Sequence, residues 1–144
     1  MSPACDPLAG AAIRFGHRML LDTLREFGLL GPDGSLVADE ETLRGAAAFL
    51  RHELLRFARD EERLLGPGTP EHDSASFEHA FLAAEIDAFA REVDGLRRIA
   101  PLDGAATAAA RARVLRRIHR IEAILELHVE KTEEADVEGD QRPC

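Results

Sequence analysis

One helical stripe of apolar residues contains an acid. Apolar side chains recur over residues 43–64 at alternating steps of four and three, a spacing that places them on one face of a helix. The stripe comprises Leu43, Ala47, Leu50, Leu54, Phe57 and Leu64. Glu61 occupies the position of this stripe between Phe57 and Leu64. The pattern therefore predicts a carboxylate that points into the buried face of the helix, close to its end.

Turn-forming clusters divide the chain into four helical segments. The clusters are GPDGS at 31–35, GPGTP at 66–70 and APLDG at 100–104, and each combines glycine with proline, which interrupt helices. Helices are predicted at about 8–29, 39–65, 70–99 and 103–135. No stretch alternates apolar and polar residues for long enough to predict a strand.

Capping residues mark the starts of the third and fourth predicted helices. Thr69 followed by Pro70 is typical of an N-cap with proline at the first helical position, and Asp103 is the expected cap of the fourth helix. Four amphipathic helices with short connections pack as an up-down-up-down bundle. The sequence thus predicts an all-α, four-helix bundle over residues 1–135, followed by an acidic tail, residues 136–144, that is expected to be disordered.

Each predicted helix carries an ionisable residue on its apolar stripe. These residues are His17, Glu61, His79 and His128, in chain order. In an up-down-up-down bundle, the starts of the first and third helices meet the ends of the second and fourth. With a rise of about 1.5 Å per residue, the first and third helices place their histidines about 13 Å from their starts. Glu61 and His128 lie about 6 and 10 Å from the ends of their helices. The similar heights predict one layer of three imidazoles and a carboxylate.

Composition restricts the partners of the chain. The net charge of −9 over 144 residues disfavours nucleic acid and anionic membranes, which repel an acidic protein. No apolar run approaches the roughly 20 residues that span a bilayer, and the start of the chain lacks the features of a signal peptide, which predicts a cytoplasmic location. Cys5 and Cys144 have no Cys-x-x-Cys spacing, so no thiolate metal site is expected.

A buried layer of imidazoles and carboxylate is typical of a metal site. Burying a lone carboxylate costs several kcal/mol, and a divalent or trivalent ion satisfies the carboxylate and the imidazoles together. Nitrogen and oxygen ligands suit iron, manganese or zinc. Glu133, five residues after His128 and about 140° around the helix, is the natural fifth ligand if its long side chain reaches inward at a loosened helix end.

These residues resemble the hemerythrin-like, or HHE cation-binding, family over residues 8–135. The most specific elements are GHRMLLDTL, DEERLLGP, FEHAFLAAEIDAF and LHVEKTEE, one for each helix in chain order. Members of the family hold two non-haem irons with histidines and carboxylates from the four helices. By position, the resemblance assigns these roles to His17, Glu61, His79, His128 and Glu133. It implies that Glu61 and Glu133 bridge the two ions and that the histidines cap them.

The second helix departs from the family pattern. Where the His-x-x-x-Glu pair of the family begins, this sequence has Phe57. The ion expected near His79 and His128 keeps two imidazoles. The ion near His17 loses one, so we expect it to bind weakly, to be absent or to leave open positions for substrate or water.

Two other histidines are weaker candidates. His52 lies on the far side of its predicted helix. His72 lies two turns before His79 on the same stripe, so it is either a partial substitute for the missing ligand or a solvated surface residue, and the second interpretation is favoured by its place in the first helical turn.

Three functions remain open from the sequence. The first is a non-haem iron protein that binds dioxygen, nitric oxide or iron itself. The second is a metal-dependent oxidase or oxygenase, in which a vacancy at Phe57 admits substrate to an incomplete di-metal site. The third is a degenerate, metal-free bundle that acts through protein contacts. Tyrosine is absent, which excludes a tyrosyl radical but not the other routes.

Overall fold

The computed structural model is all-helical. It describes residues 7–99 and 103–139, and the side chains of residues 16–99 and 103–131. Its helices are α1 (Pro7–Glu26), α2 (Glu40–Phe49), α3 (Leu55–Leu65), α4 (Pro70–Leu96) and α5 (Gly104–Gly139). A π-helical turn, Leu50–Leu54, joins α2 to α3, so these two form one continuous rod. The all-α class and the four helical rods are confirmed, and no described helix is long and apolar enough to cross a membrane.

The helix ends follow the expected capping chemistry. The Thr69 hydroxyl accepts a hydrogen bond from the His72 amide at 3.1 Å, and the Asp103 carboxylate accepts one from the Ala106 amide at 3.0 Å. Both predicted N-caps are confirmed. α1 ends at Glu26, earlier than predicted, and α5 continues to Gly139, beyond the predicted end. The rest of the predicted tail, together with both cysteines, lies outside the described residues.

An apolar core runs between the rods. α4 packs against α5 and the α2–α3 rod, and α1 packs against α5. The largest fully buried apolar side chains are Leu20, Leu24, Leu43, Leu50, Phe89, Val93, Val114, Ile118, Ile121 and Leu125. These residues recur at steps of three and four along their helices, which is why each helix presents a single apolar face to the others.

The π-helical turn changes which residues of the rod face inward. A π turn contains an extra residue relative to an α turn, so it rotates the part of the helix that follows. Before the turn, Leu43 and Ala47 are buried as the stripe predicts; after it, Ala58 and Glu61 are buried while Phe57 is only half-buried. The rotation moves Phe57 toward α1 and keeps Glu61 inside.

Candidate metal centre

Glu61 lies at the centre of a buried polar cluster. His17 Nε2 from α1 lies 3.0 Å from Glu61 Oε2, and His79 Nε2 from α4 lies 2.8 Å from the same oxygen. His128 Nε2 from α5 lies 3.4 Å from Oε1 and 3.5 Å from Oε2. The four side chains that the sequence placed at one height therefore meet, each contributed by a different rod.

The cluster is shielded from solvent, and its imidazoles are unevenly spaced. His17 is 2% exposed and Glu61 is 5% exposed, while His128 is half-buried. The ligand atoms of His17, Glu61 and His128 all lie within 4.8 Å of one another, so this group can hold a metal ion. His79 falls outside that group although its Nε2 is the nitrogen nearest to Glu61. The closest imidazole pair is His17 with His128, with ring centroids 4.1 Å apart, rather than the expected pair of His79 with His128, at 5.7 Å.

The cluster keeps Glu61 ionised. Burial raises the pKa of this carboxyl, but hydrogen bonds from the three imidazoles outweigh that effect and hold the pKa well below its usual range. Burial lowers the pKa of His17 in spite of its contact with Glu61, which favours the neutral imidazole that a metal ligand must be. Burial also opposes the charged form of His79, but the carboxylates of Glu61 and Glu62 outweigh it and raise its pKa.

Two outer carboxylates contact the second ring nitrogens of the histidines. Glu62 Oε1 lies 3.3 Å from His79 Nδ1, and Glu78 Oε2 lies 2.5 Å from His128 Nδ1. Lys131 Nζ donates to Glu78 Oε1 at 2.6 Å. Histidines that bind metals generally donate the other ring N–H to a carboxylate or carbonyl, which fixes the tautomer and orients the ring. Both histidines therefore have the support that a metal ligand requires.

The hydrogen-bond chemistry of the imidazoles and the Glu61 carboxylate is compatible with a bound metal ion. His79 and His128 face carboxylate oxygens with both ring nitrogens, whereas a neutral imidazole carries only one N–H. Each ring is therefore either a cation that donates from both nitrogens or a neutral ring that donates from one of them. A neutral ring that donates from Nδ1 to its outer carboxylate directs an Nε2 lone pair toward the centre. In the second state, the Nε2 lone pairs and the Glu61 carboxylate converge as ligands that suit iron, manganese or zinc.

Phe57 fills the place beside His17. The two rings meet edge to face, with centroids 4.9 Å apart. A Cβ atom on Gly16 would lie 1.8 Å from Phe57 Cε2, so a larger residue at this position would force the ring to move. The ring fills the space between Gly16 and His17, and an open coordination position at a bound ion stays a prediction. The signal for this contact was a glycine inside a predicted helix, directly before His17.

The remaining candidates lie apart from the cluster or outside the described residues. The side chain of Glu133 lies outside the described residues, so its role as a fifth ligand stays a prediction. His72 is partly buried, and its Nδ1 makes no hydrogen bond with the described part of the chain. His52 is exposed, as predicted. The apolar stripes do not include Glu78 and Lys131, so no periodic signal in the sequence indicated their contact between α4 and α5.

Comparisons with protein-family models, with curated proteins and with solved structures found no match to this chain. The fold and the site by themselves define a helical protein with a buried His/Glu group that can hold a metal ion.

Proposed function

We propose that the chain is a hemerythrin-like, non-haem iron-binding protein whose core site handles dioxygen, nitric oxide or iron itself. The observation that carries the proposal is the convergence of three imidazole Nε2 atoms on the single carboxylate of Glu61. A buried carboxylate surrounded by nitrogens generally stabilises a fold no more than a well-packed apolar side chain in its place would. Binding a metal ion accounts for the cluster, since stability does not.

The pattern of contacts supports the up-down-up-down bundle of that family. Arg97 on the C-terminal side of α4 pairs with Glu40 at the start of α2, at 2.8 Å, and Arg51 pairs with Asp87 at 2.6 Å. Residue numbers rise along the rod as they fall along α4, which is the order that antiparallel neighbours require.

The residues divide the work of holding the ion. His17, Glu61 and His128 form the compact ligand group, and His79 adds a fourth donor beside Glu61. Glu62 and Glu78 accept the Nδ1 protons and fix the ring orientations. Iron held by these residues would supply a centre able to bind a diatomic gas; manganese and zinc are the alternative ions for the same donors.

A metal-dependent oxidase or oxygenase is the second candidate. The feature that favours it is Phe57, an apolar ring 4.9 Å from His17, at the position where the family resemblance implies an imidazole. A metal centre held here would have fewer protein ligands than a complete di-iron site, and an incomplete ligand set would leave positions open for substrate or water.

Metal analysis separates these functions. Protein is purified from iron-supplemented cells, its metal content is measured, and nitric oxide is added to the reduced protein. Iron in the wild type, its absence from His79→Ala and an optical change with nitric oxide would support the first function. Bound metal with oxygen consumption that depends on an organic substrate would support the second. No metal under any supplementation would contradict both and leave a metal-free interaction bundle.

A further inference from the structure

A groove between α4 and α5 lies beside the metal cluster. Its volume is about 400 Å³. The apolar walls include Phe77, Phe81 and Leu127, and the polar end comprises Glu78, His128 and Lys131. Small-molecule sites are concave, of about 300–1,000 Å³, and combine apolar walls with a few convergent polar groups. The groove has this composition, and it ends on a residue of the metal cluster.

The apolar walls are unusually exposed for this chain. Phe77 is 75% exposed, Phe81 is 54% exposed and Leu127 is 53% exposed. Aromatic residues are scarce, with seven phenylalanines and neither tyrosine nor tryptophan, yet two of the phenylalanines lie together on this surface. Single exposed apolar side chains are ordinary, whereas adjacent ones that form a patch mark binding surfaces.

A second groove of similar volume provides a comparison within the same protein. It lies along the π-helical turn and α4, has a volume of about 400 Å³ and includes Leu54, Leu55 and Ala83 in its lining. Its charged residues, Arg51 and Asp87, pair with each other at 2.6 Å. None of its lining residues belongs to the metal cluster.

The polar end of the first groove presents a cation to an incoming molecule. Lys131 is the only lysine in the sequence, and its side chain is 56% exposed. An ammonium group has three N–H donors, so the contact with Glu78 leaves donors for an anionic group. Glu78 in turn contacts His128, which places a head group bound at Lys131 close to the metal ligands.

We propose that the α4–α5 groove binds a small amphipathic carboxylate, whose apolar body lies on Phe77, Phe81 and Leu127 and whose head accepts hydrogen bonds from Lys131. The molecule is the organic substrate or effector of the metal centre. That role rests on the proposed metal function, whereas binding in the groove does not require the metal.

The test measures binding of decanoate and of the uncharged decanol to the full chain by calorimetry, with and without metal. Lys131→Met keeps the apolar stem and removes the charge, so decanoate binding should weaken about tenfold or more while decanol binding is unchanged. Phe81→Ser should weaken both ligands. Arg113→Met, an exposed cation elsewhere on α5, and Leu55→Ser in the second groove are the matched controls and should leave binding of both ligands as in wild type.

The outcomes distinguish this inference from the proposed function. Decanoate binding to a protein that takes up no metal would sustain the groove and contradict the metal function. Metal uptake without decanoate binding, or equal decanoate affinity in wild type and Lys131→Met, would overturn the groove proposal. A wild-type dimer that becomes monomeric in Phe81→Ser and binds no decanoate would also overturn it, because a second copy of the chain would then cover this face.

Discussion

The two ends of the bundle core are buried to a similar degree, but one consists of apolar side chains and the other of polar ones. At one end, Phe89, Val93 and Val114 are 0% exposed, and burial itself stabilises the fold by about 25 cal/mol per Å² of apolar surface. At the other end, His17 and Glu61 are 2% and 5% exposed, and burial costs free energy that hydrogen bonds must offset. The apolar end therefore explains why the chain folds, while the polar end requires a reason beyond folding.

Removing apolar volume should have the largest effect on stability and none on the site. Phe89→Ala should lower the free energy of unfolding by about 3–5 kcal/mol, through lost burial and the cavity left behind. Urea unfolding measures this loss, and metal content per folded chain should stay at the wild-type value. A loss of metal from folded Phe89→Ala would show that the two ends are not independent.

Removing the charge of Glu61 should lower metal affinity and leave the protein folded, the opposite of the Phe89→Ala result. Glu61→Gln preserves the shape of the side chain but removes the carboxylate that the imidazoles share, so metal affinity should fall by more than about 100-fold, the upper range for loss of a supporting outer residue. Metal titration followed by competition with a chelator measures the affinity, and circular dichroism checks that the protein remains helical. Wild-type affinity in Glu61→Gln would remove Glu61 from the site.

The outer carboxylate on α4 should contribute less than the central one. Glu78→Gln leaves a neutral partner for His128 Nδ1 and should weaken metal binding by about 10–100-fold. Glu130→Gln, an exposed acid on α5, is the matched control and should bind like the wild type. Equal weakening in both variants would mean that only general negative charge matters.

Restoring an imidazole beside His17 should increase metal uptake. Phe57→His replaces the ring that lies 4.9 Å from His17 by a smaller one. The space beside Gly16 therefore accommodates the imidazole, which adds a ligand to the cluster. Metal bound per chain, or its affinity, should rise above the wild-type value by elemental analysis. Unchanged metal content would contradict the placement of Phe57 at the position of the family's histidine.

Metal affinity should depend on pH with a sign set by His79. Its pKa is raised above the ordinary 6.5, and an ion must displace the proton from its Nε2, so affinity should rise as pH increases from 6.5 through the folded pKa. Without metal the sign reverses: the stability contributed by protonated His79 is complete below 6.5 and is lost as pH rises through the folded pKa. Titrations and urea unfolding at several pH values measure both trends. A flat affinity profile across this interval would contradict proton competition at His79.

The helices and the heights of the polar residues followed from the sequence because both depend on local spacing. The stripe from Leu43 to Leu54 and the caps at Thr69 and Asp103 are patterns that a helix imposes within a few residues. The same regular rise predicted that His17, Glu61, His79 and His128 lie in one layer.

The details that depend on packing between rods did not follow from the sequence. No glycine or proline within Leu50–Leu54 marks the π-helical turn, so the rotation that brings the Phe57 ring against Gly16 was not predicted. Glu78 and Lys131 meet only because α4 and α5 lie side by side. The resemblance to the hemerythrin-like family remains a prediction, because the comparisons found nothing to test it against.

Anomalous diffraction at the iron absorption edge, from crystals of the full chain grown with Fe²⁺, tests the central claim most directly. We expect a strong peak between Glu61 and the Nε2 atoms of His17 and His128, on the side chains that already converge there. The absence of density at this position in a folded, iron-soaked crystal, or a peak bound only by surface carboxylates, would contradict the account.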